Sequence, residues 1–260
     1  MNSFVIFFKK ELTELIKTVK GVVLAAIFLV VGISSPLIAK LTPEILKMAG
    51  IDISPGQMAA MGINYPPNSR DSYAQFFSNF NTMGLLAAII VFAGLVANEK
   101  AKNTASYILT KNISRTQFIL SKFASSAVFI LVSLGCAMGA QIFYTMFLFE
   151  DELVKTGDVI LFFSLLFLYL IFILALVLFA SVCAKNVTSA TFLAFLIFMV
   201  FNIAAAVPKA GGYMPPGVDD FGIITGAVNI GDIWPSIAAA AVCSAAFVVF
   251  GVVIFNRQEL

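Results

Sequence analysis

The 260-residue chain contains no histidine and three cysteines, and only 12% of its residues are charged. Without histidine, zinc and haem lose their commonest ligand and acid–base catalysis its commonest group; Cys136, Cys183 and Cys243 sit singly in apolar runs, without C-x-x-C spacing. Neither a metal centre nor a disulfide framework is expected. A phosphate-binding loop needs G-x-x-x-x-G-K-[ST], whose glycine amides cradle phosphates while the lysine neutralises them, and nothing here matches. The chain therefore cannot be its own ATPase. H-E-x-x-H, G-x-S-x-G and paired intramembrane aspartates are also missing, which disfavours an intramembrane enzyme. No catalytic residue, metal ligand or cofactor-binding residue is expected. There is no basic stripe of the kind that tracks nucleic acid.

What is present is apolar sequence. Sixty per cent of the residues are hydrophobic, against roughly 25% charged in ordinary soluble domains. Six runs, 21–39, 80–97, 123–148, 159–184, 187–207 and 234–255, are each about long enough to cross a bilayer. Backbone groups in lipid must pair within their own segment, and no series of short alternating strands suggests a barrel, so the spans are expected to be helices. The expectation is an all-α integral membrane protein with a single transmembrane domain over 1–260. Lys9, Lys10, Lys17 and Lys20 ahead of the first run resemble a signal peptide superficially, but the run is long and no clear cleavage site follows, so retention is expected.

Charge placement orients the spans. A cytoplasmic N-terminus puts Lys9, Lys10, Lys17, Lys20, Lys100, Lys102, Lys111, Arg115, Lys122, Lys185 and Arg257 inside, 11 of the 16 basic residues, and leaves Lys40, Lys47, Arg70, Lys155 and Lys209 outside. The positive-inside bias thus favours both termini in the cytoplasm. Glu150, Asp151 and Glu152 read as a solvated loop tip, since no partner ligands stand at cage-like spacing.

Residues 1–20 place Phe4, Phe8, Leu12, Leu15 and Val19 at helical spacing, with Lys10, Glu14 and Lys17 opposite, which predicts an interfacial amphipathic helix. The connection 98–122 reads as helix, turn and helix. In it, Ser114 and Gln117 form a capping-box pattern, so a helix starts at Arg115 and runs straight into the third span. Lys122 reads as a membrane anchor. The short turn at Lys185 and Asn186 makes spans four and five an antiparallel hairpin. Residues 208–234, rich in Gly, Pro and Asp yet holding Phe221, Ile223, Ile224, Val228 and Ile230, read either as a structured external loop or as a segment dipping into the membrane.

Several features together resemble the permease subunits of ABC-2 type ATP-binding cassette exporters, over nearly the whole chain. An N-terminal helix with Lys9-Lys10-Glu11-Leu12 precedes span one, and Ser35-Pro36 followed by Pro43 closes it. Between spans two and three, Glu99, Asn103-Thr104, Ile108-Leu109-Thr110, Ile113-Ser114-Arg115 and Lys122 are similar to the family pattern E, G-T, L-L, P-x-S-R, K. Asn103 and Asn112 depart from it where glycine and proline are usual. The tail Phe255-Asn256-Arg257-Gln258-Glu259-Leu260 is also similar to family tails.

The resemblance implies an ABC-2 (type V exporter-like) permease fold and a half-transporter. Two permease subunits, identical or paralogous, would form the pathway, and two separate cytosolic ATPase subunits, binding ATP and Mg, would act on a coupling element at 98–122. Glu99, Asn103, Thr104, Ser114 and Arg115 would carry that coupling. Phe198, Phe201 and Asn202 would line a pathway at the dimer interface. Hydrophobic or amphipathic cargo such as a peptide, drug or lipid-linked molecule fits a narrow apolar route, in an inner (cytoplasmic) membrane. The residues alone also admit a self-contained secondary transporter or channel, or a membrane assembly subunit that moves nothing; the first should show buried ionisable groups or broken helices, and none is evident in the spans.

Overall fold

The computed structural model describes residues 3–48, 50, 66–104, 113–150, 154–207, 211–218, 222–225 and 230–258. Among these, six helices are long and apolar enough to cross a membrane. We label the elements α1 (Ser3–Lys17), α2 (Val19–Met48), α3 (Ser69–Ala101), α4 (Arg115–Leu148), α5 (Thr156–Cys183), α6 (Val187–Ala205) and α7 (Ile230–Arg257). No strand occurs among the described residues. Helix α1, the end of α3, the start of α4 and the end of α7 gather at one end of the bundle, the basic end, which carries Lys9, Lys10, Lys20, Lys100, Lys102, Arg115, Lys122 and Arg257.

Two close approaches set the packing of α2. The chain bends at Thr18, and Gly21 then lies against the Leu15 carbonyl so closely that a Cβ would overlap it. About three turns further along α2, the absent Cβ of Gly32 lets the α2 backbone touch the α4 backbone at Ala137. Small residues do this work in membrane helices, where burial gives little drive for association and van der Waals contact must supply it. Lys40 then donates to the Leu148 carbonyl at 2.5 Å, capping the far end of α4.

The helix α5 is the central one. Phe162, Leu166, Leu170, Phe172, Ile173, Leu176, Val177 and Ala180 are all buried, on every side of the helix, which is why its sequence carries no polar face. Stacked and tilted rings join it to its neighbours: Phe76 to Phe163 at 5.3 Å, Phe76 to Phe80 at 5.5 Å and Phe28 to Phe80 at 4.8 Å. By contrast α6 buries only Ala190 and Ala194 and leaves Phe192, Leu196, Met199 and Ile203 exposed, an apolar stripe facing outward. The expected α5–α6 hairpin is present; Asn186 caps α6, accepting from the Ser189 amide at 2.8 Å.

The second span differs most from expectation. It is 33 residues long rather than 80–97, and its ladder is disturbed twice. Phe80–Gly84 forms a π turn, in which the Leu85 amide reaches back to the Phe80 carbonyl, and the α-helix is interrupted again at Ala93. Ser72, outside the expected run, joins Gln141 and Thr145 of α4 in a buried polar knot near the end away from the basic residues: Ser72 Oγ lies 2.7 Å from Thr145 Oγ1, and Gln141 Nε2 donates to the Ser72 carbonyl at 3.1 Å. The helix of the third span starts at Arg115, as the Ser114–Gln117 pattern predicts, and continues unbroken past Lys122.

The N-terminal helix is present. Its buried centre is Phe7 and Glu11, with Phe4, Phe8, Leu12 and Leu15 half-buried beside them, while Val19 belongs to α2 and is exposed. Its buried side packs against α4. In the segment 208–234, the described residues form turns at Gly211–Tyr213 and Pro215–Val218 and a single helical turn at Gly222–Thr225. Val218 and Ile224 are buried and Ser236 of α7 donates to the Gly212 carbonyl at 2.9 Å, so these turns cap the ends of α5, α6 and α7. Phe221 and Val228 lie outside the described residues.

Replacing Gly32 by valine should force α2 off α4, at a cost of about 1–3 kcal/mol typical of overpacking. Thermal unfolding of the detergent-solubilised chain should show a clear drop in Tm, with Gly32→Ala intermediate; an unchanged Tm in both would mean the two helices do not meet there.

Candidate coupling site

At the basic end a lysine is buried between two carboxylates from different elements. Lys122 Nζ donates to Glu11 Oε2 of α1 at 2.7 Å and to Glu99 Oε1 of α3 at 2.8 Å. Their side chains are only 3%, 6% and 14% exposed. Burying a lone ammonium costs several kcal/mol even after relaxation, so α4 can keep Lys122 inside only where α1 and α3 each bring an acceptor. The Phe118 and Phe7 rings lie 5.1 and 5.9 Å from the ammonium and add their π faces.

The ionic chain continues outward. Lys10 bonds Glu11 at 3.1 Å and Glu14 at 3.3 Å. Partial burial lowers the Lys10 pKa, but the nearby carboxylates, Glu11 first, outweigh it and hold the ammonium above its ordinary 10.5. The stabilisation this gives is therefore fully present below the ordinary lysine value and is lost only as pH rises through the higher folded value.

A second set of contacts fastens the C-terminus. Arg115 Nη1 donates to the carbonyls of Phe255, Asn256 and Gln258 at 3.1, 3.1 and 2.6 Å. These are orphan acceptors at the end of α7, where the helix dipole also favours a cation. Phe118 stacks between Phe7, at 5.6 Å, and Phe255, at 5.3 Å and nearly parallel to it. Lys100 and Gln258 both donate to the Val182 carbonyl near the end of α5, at 2.7 and 3.1 Å. The base of α4 is thereby tied to α1, α3 and α7, and α3 and α7 are tied to α5.

The interruption in α3 lies one to two turns from Glu99. Ser181 of α5 inserts its hydroxyl into the ladder, donating to the Ala93 carbonyl at 2.7 Å and accepting from the Val96 and Ala97 amides at 3.0 and 2.9 Å. A side chain that takes over ladder bonds is a recognised cause of a helix break. The segment carrying Glu99 and Lys100 is thus a short helix, Gly94–Ala101, jointed to the rest of the span.

The residues expected to couple occupy distinct places. Glu99 belongs to the buried triad. Asn103 has φ +55°, in the left-handed region where asparagine is one of the few tolerated side chains; this explains how it stands where the resembling family has glycine. Thr104 donates to the Glu99 carbonyl at 3.2 Å, closing the helix end. Ser114 and Gln117 make the expected reciprocal cap, each amide bonded to the other side chain at 3.2 Å. Arg115 reaches the end of α7. The part of the motif at 108–112 lies outside the described residues. Of the three expected pathway residues, Phe201 meets Phe172 edge-on at 5.2 Å and Phe247 at 6.1 Å within the subunit. Asn202 donates to its own helix, at the Phe198 carbonyl, 2.9 Å away, and Phe198 packs half-buried against the core.

Sequence reasoning missed Glu11, the burial of Lys122, and Ser181. The reading of Lys122 as a membrane anchor is overturned, because its ammonium turns inward to two carboxylates rather than toward headgroups. A signal existed for Glu11: it lies four residues from both Phe7 and Leu15, on the apolar side of α1, where an unpaired carboxylate would be unfavourable.

Substituting Lys122 by methionine should cost about 3–5 kcal/mol, since it strands two buried carboxylates. The triple change Glu11→Gln, Glu99→Gln, Lys122→Met should recover much of that loss. Unfolding midpoints of the unsubstituted chain and the two variants in one detergent give the comparison, and a single change no worse than the triple would rule out the buried-pair account.

The sequence matches the family described as ABC-2 family transporter protein over residues 5–260. It is also 26% identical, over 151 residues, to the uncharacterized transmembrane protein YxlG of Bacillus subtilis (strain 168); the match covers 58% of this chain and 57% of that protein. The family match takes in every membrane-crossing helix and the whole ionic base that joins them, and the chain belongs to the ABC-2 family of multi-pass transporter membrane proteins.

Proposed function

We propose that this permease subunit is the membrane half of an ATP-driven exporter, powered by separate ATPase subunits that dock at its basic end. The observation that carries the reading is the construction of that end. An unbroken helix of 34 residues starts at a capped Ser114 and crosses the membrane. At its foot, Lys122 and Arg115 link it to α1, α3 and α7. A push on the connection 98–122 therefore reaches four elements together, and the joint at Ser181 lets the end of α3 tilt against the rest of its span. Members of the ABC-2 family sit in the bilayer and generally work with an ATPase subunit, which supports the same assignment.

In this reading the basic end lies in the cytoplasm, both termini included, and the membrane is the inner, cytoplasmic one; the excess of Lys and Arg at that end is the support. Two permease copies, identical or paralogous, flank a pathway for hydrophobic or amphipathic cargo, and ATP with Mg binds only in the ATPases. Asn103 and Thr104, exposed at the close of α3, offer the contact surface. Glu99, Ser114 and Arg115 position it from behind, Arg115 through its hold on α7. Phe198, Phe201 and Asn202 would influence the pathway through the packing of α6 on α5 and α7.

Purification of the chain through a C-terminal tag in mild detergent should bring down a Walker-type ATPase at near-stoichiometric amounts, with ATP hydrolysis in the complex. A chain that runs alone in several detergents, and conducts ions by itself in vesicles, would replace this reading with a channel or secondary transporter.

Arg115→Glu should leave membrane insertion intact but free the last turn of α7, because a carboxylate there repels the carbonyls it replaces a donor for. ATPase attachment or ATP-driven transport should fall at least several-fold, with faster proteolysis of the C-terminus; normal transport by the variant would remove Arg115 from the coupling path.

A further inference from the structure

Beside the triad lies a cavity of about 400 Å³, walled by α1, the first turn of α2 and the last turns of α3. Its charges do not cancel internally. Lys122 and Lys10 are matched to Glu11, Glu14 and Glu99, but Glu99 Oε2 is buried without a hydrogen-bond partner among the described residues. Lys20 and Lys102 line the same cavity, are exposed, and form no ion pair among the described residues. Lys20 leans across to α3, where its Nζ lies 3.6 Å from the position a Cβ on Gly94 would take. The cavity thus presents one unmatched anionic oxygen within and two unmatched cations around it.

The other wall is apolar. Val19, Val91 and Leu95 line it, and the exposed Val22 and Val23 of α2 and Leu86 and Ile90 of α3 extend apolar surface further into the membrane span. Val91 and Lys102 are eleven residues apart along a mostly helical segment, a rise of roughly 16 Å, enough to take in a headgroup and the start of its acyl chains. Charged at one end and apolar at the other, the cavity matches the polarity of one leaflet.

From this juxtaposition we infer that the cavity holds the headgroup of a phosphatidylethanolamine-type lipid, its primary ammonium on Glu99 and its phosphate on Lys20 and Lys102. The chemistry excludes close alternatives. An inorganic cation leaves both lysines unmatched, and an anionic lipid without an amine leaves Glu99 unmatched beside more carboxylates. A trimethylammonium group has no N–H to donate to the buried oxygen. Because Glu99 is shared with the Lys122 triad, bound lipid would brace the joint between α1, α2 and α3. The inference needs only that these helices cross a bilayer, and stands whether or not an ATPase binds.

The test is native mass spectrometry of the full chain in detergent, titrated with phosphatidylethanolamine, phosphatidylcholine or phosphatidylglycerol of identical acyl chains. Phosphatidylethanolamine should bind about ten-fold tighter than either competitor, the order expected for charge-assisted hydrogen bonds to a buried partner. Lys20→Ala with Lys102→Ala should weaken all three lipids about alike, since each carries a phosphate, while Glu99→Gln should remove the preference for phosphatidylethanolamine; the lysine variants alter only exposed side chains, so the result does not rest on one fold. Equal binding of the three lipids, preference for phosphatidylglycerol, unchanged affinities in the lysine variants, or an unchanged preference in Glu99→Gln would overturn the proposal. Displacement of the lipid by equimolar glycerophosphoethanolamine would do so too, because it would make the ligand a soluble zwitterion.

Discussion

A buried ammonium needs carboxylates, and most of the architecture at the basic end follows from that need. Lys122 is held within α4 by Glu11 and Glu99, so α1 and α3 cannot leave α4 without exposing or stranding charge. Hydrophobic contact alone would not impose this, because apolar helix faces exchange lipid for protein at little cost. The ion pairs fix which helices meet, and at what height. Once they do, the Phe7, Phe118 and Phe255 rings stack and Arg115 reaches the last carbonyls of α7.

The rigid base contrasts with the helix it holds. In α3 a π turn at Phe80–Gly84 and the Ser181 intrusion at Ala93 leave a short terminal helix whose ladder bonds are partly made by α5. The Ser181 hydroxyl pairs the Ala93 carbonyl and the Val96 and Ala97 amides at this joint, as a membrane interior requires. Glu99 sits on the short terminal helix and Lys122 on the straight α4. Motion at the joint would therefore either carry α4 along or strain the triad, and the cavity bounded by Lys20 and Lys102 opens beside this junction.

Several elements were legible in the residues. The Ser114–Gln117 box fixed the start of α4, because a cap is a local hydrogen-bond pattern that reads the same in any fold. The turn at Asn186 was equally local. The length of α3 was not legible: Ser69–Asn79 has the composition of a polar loop, and its helix persists because Ser72 finds Thr145 and Gln141 on α4, partners more than sixty residues away. Nor could local pattern show that Phe201 packs on Phe172 and Phe247 inside the subunit, since a phenylalanine facing lipid and one facing protein look alike in sequence.

The sequence by itself determined the solvent, the helical class and the number of spans, because each depends on composition or on short spacing. Tertiary structure alone decided which charges are buried. Glu11, Glu99 and Lys122 lie 88 and 23 residues apart in successive steps along the chain and are ordinary flanking charges until three helices converge. Whether a charge faces water or another charge is a property of that convergence, because desolvation is set by what surrounds a group in space.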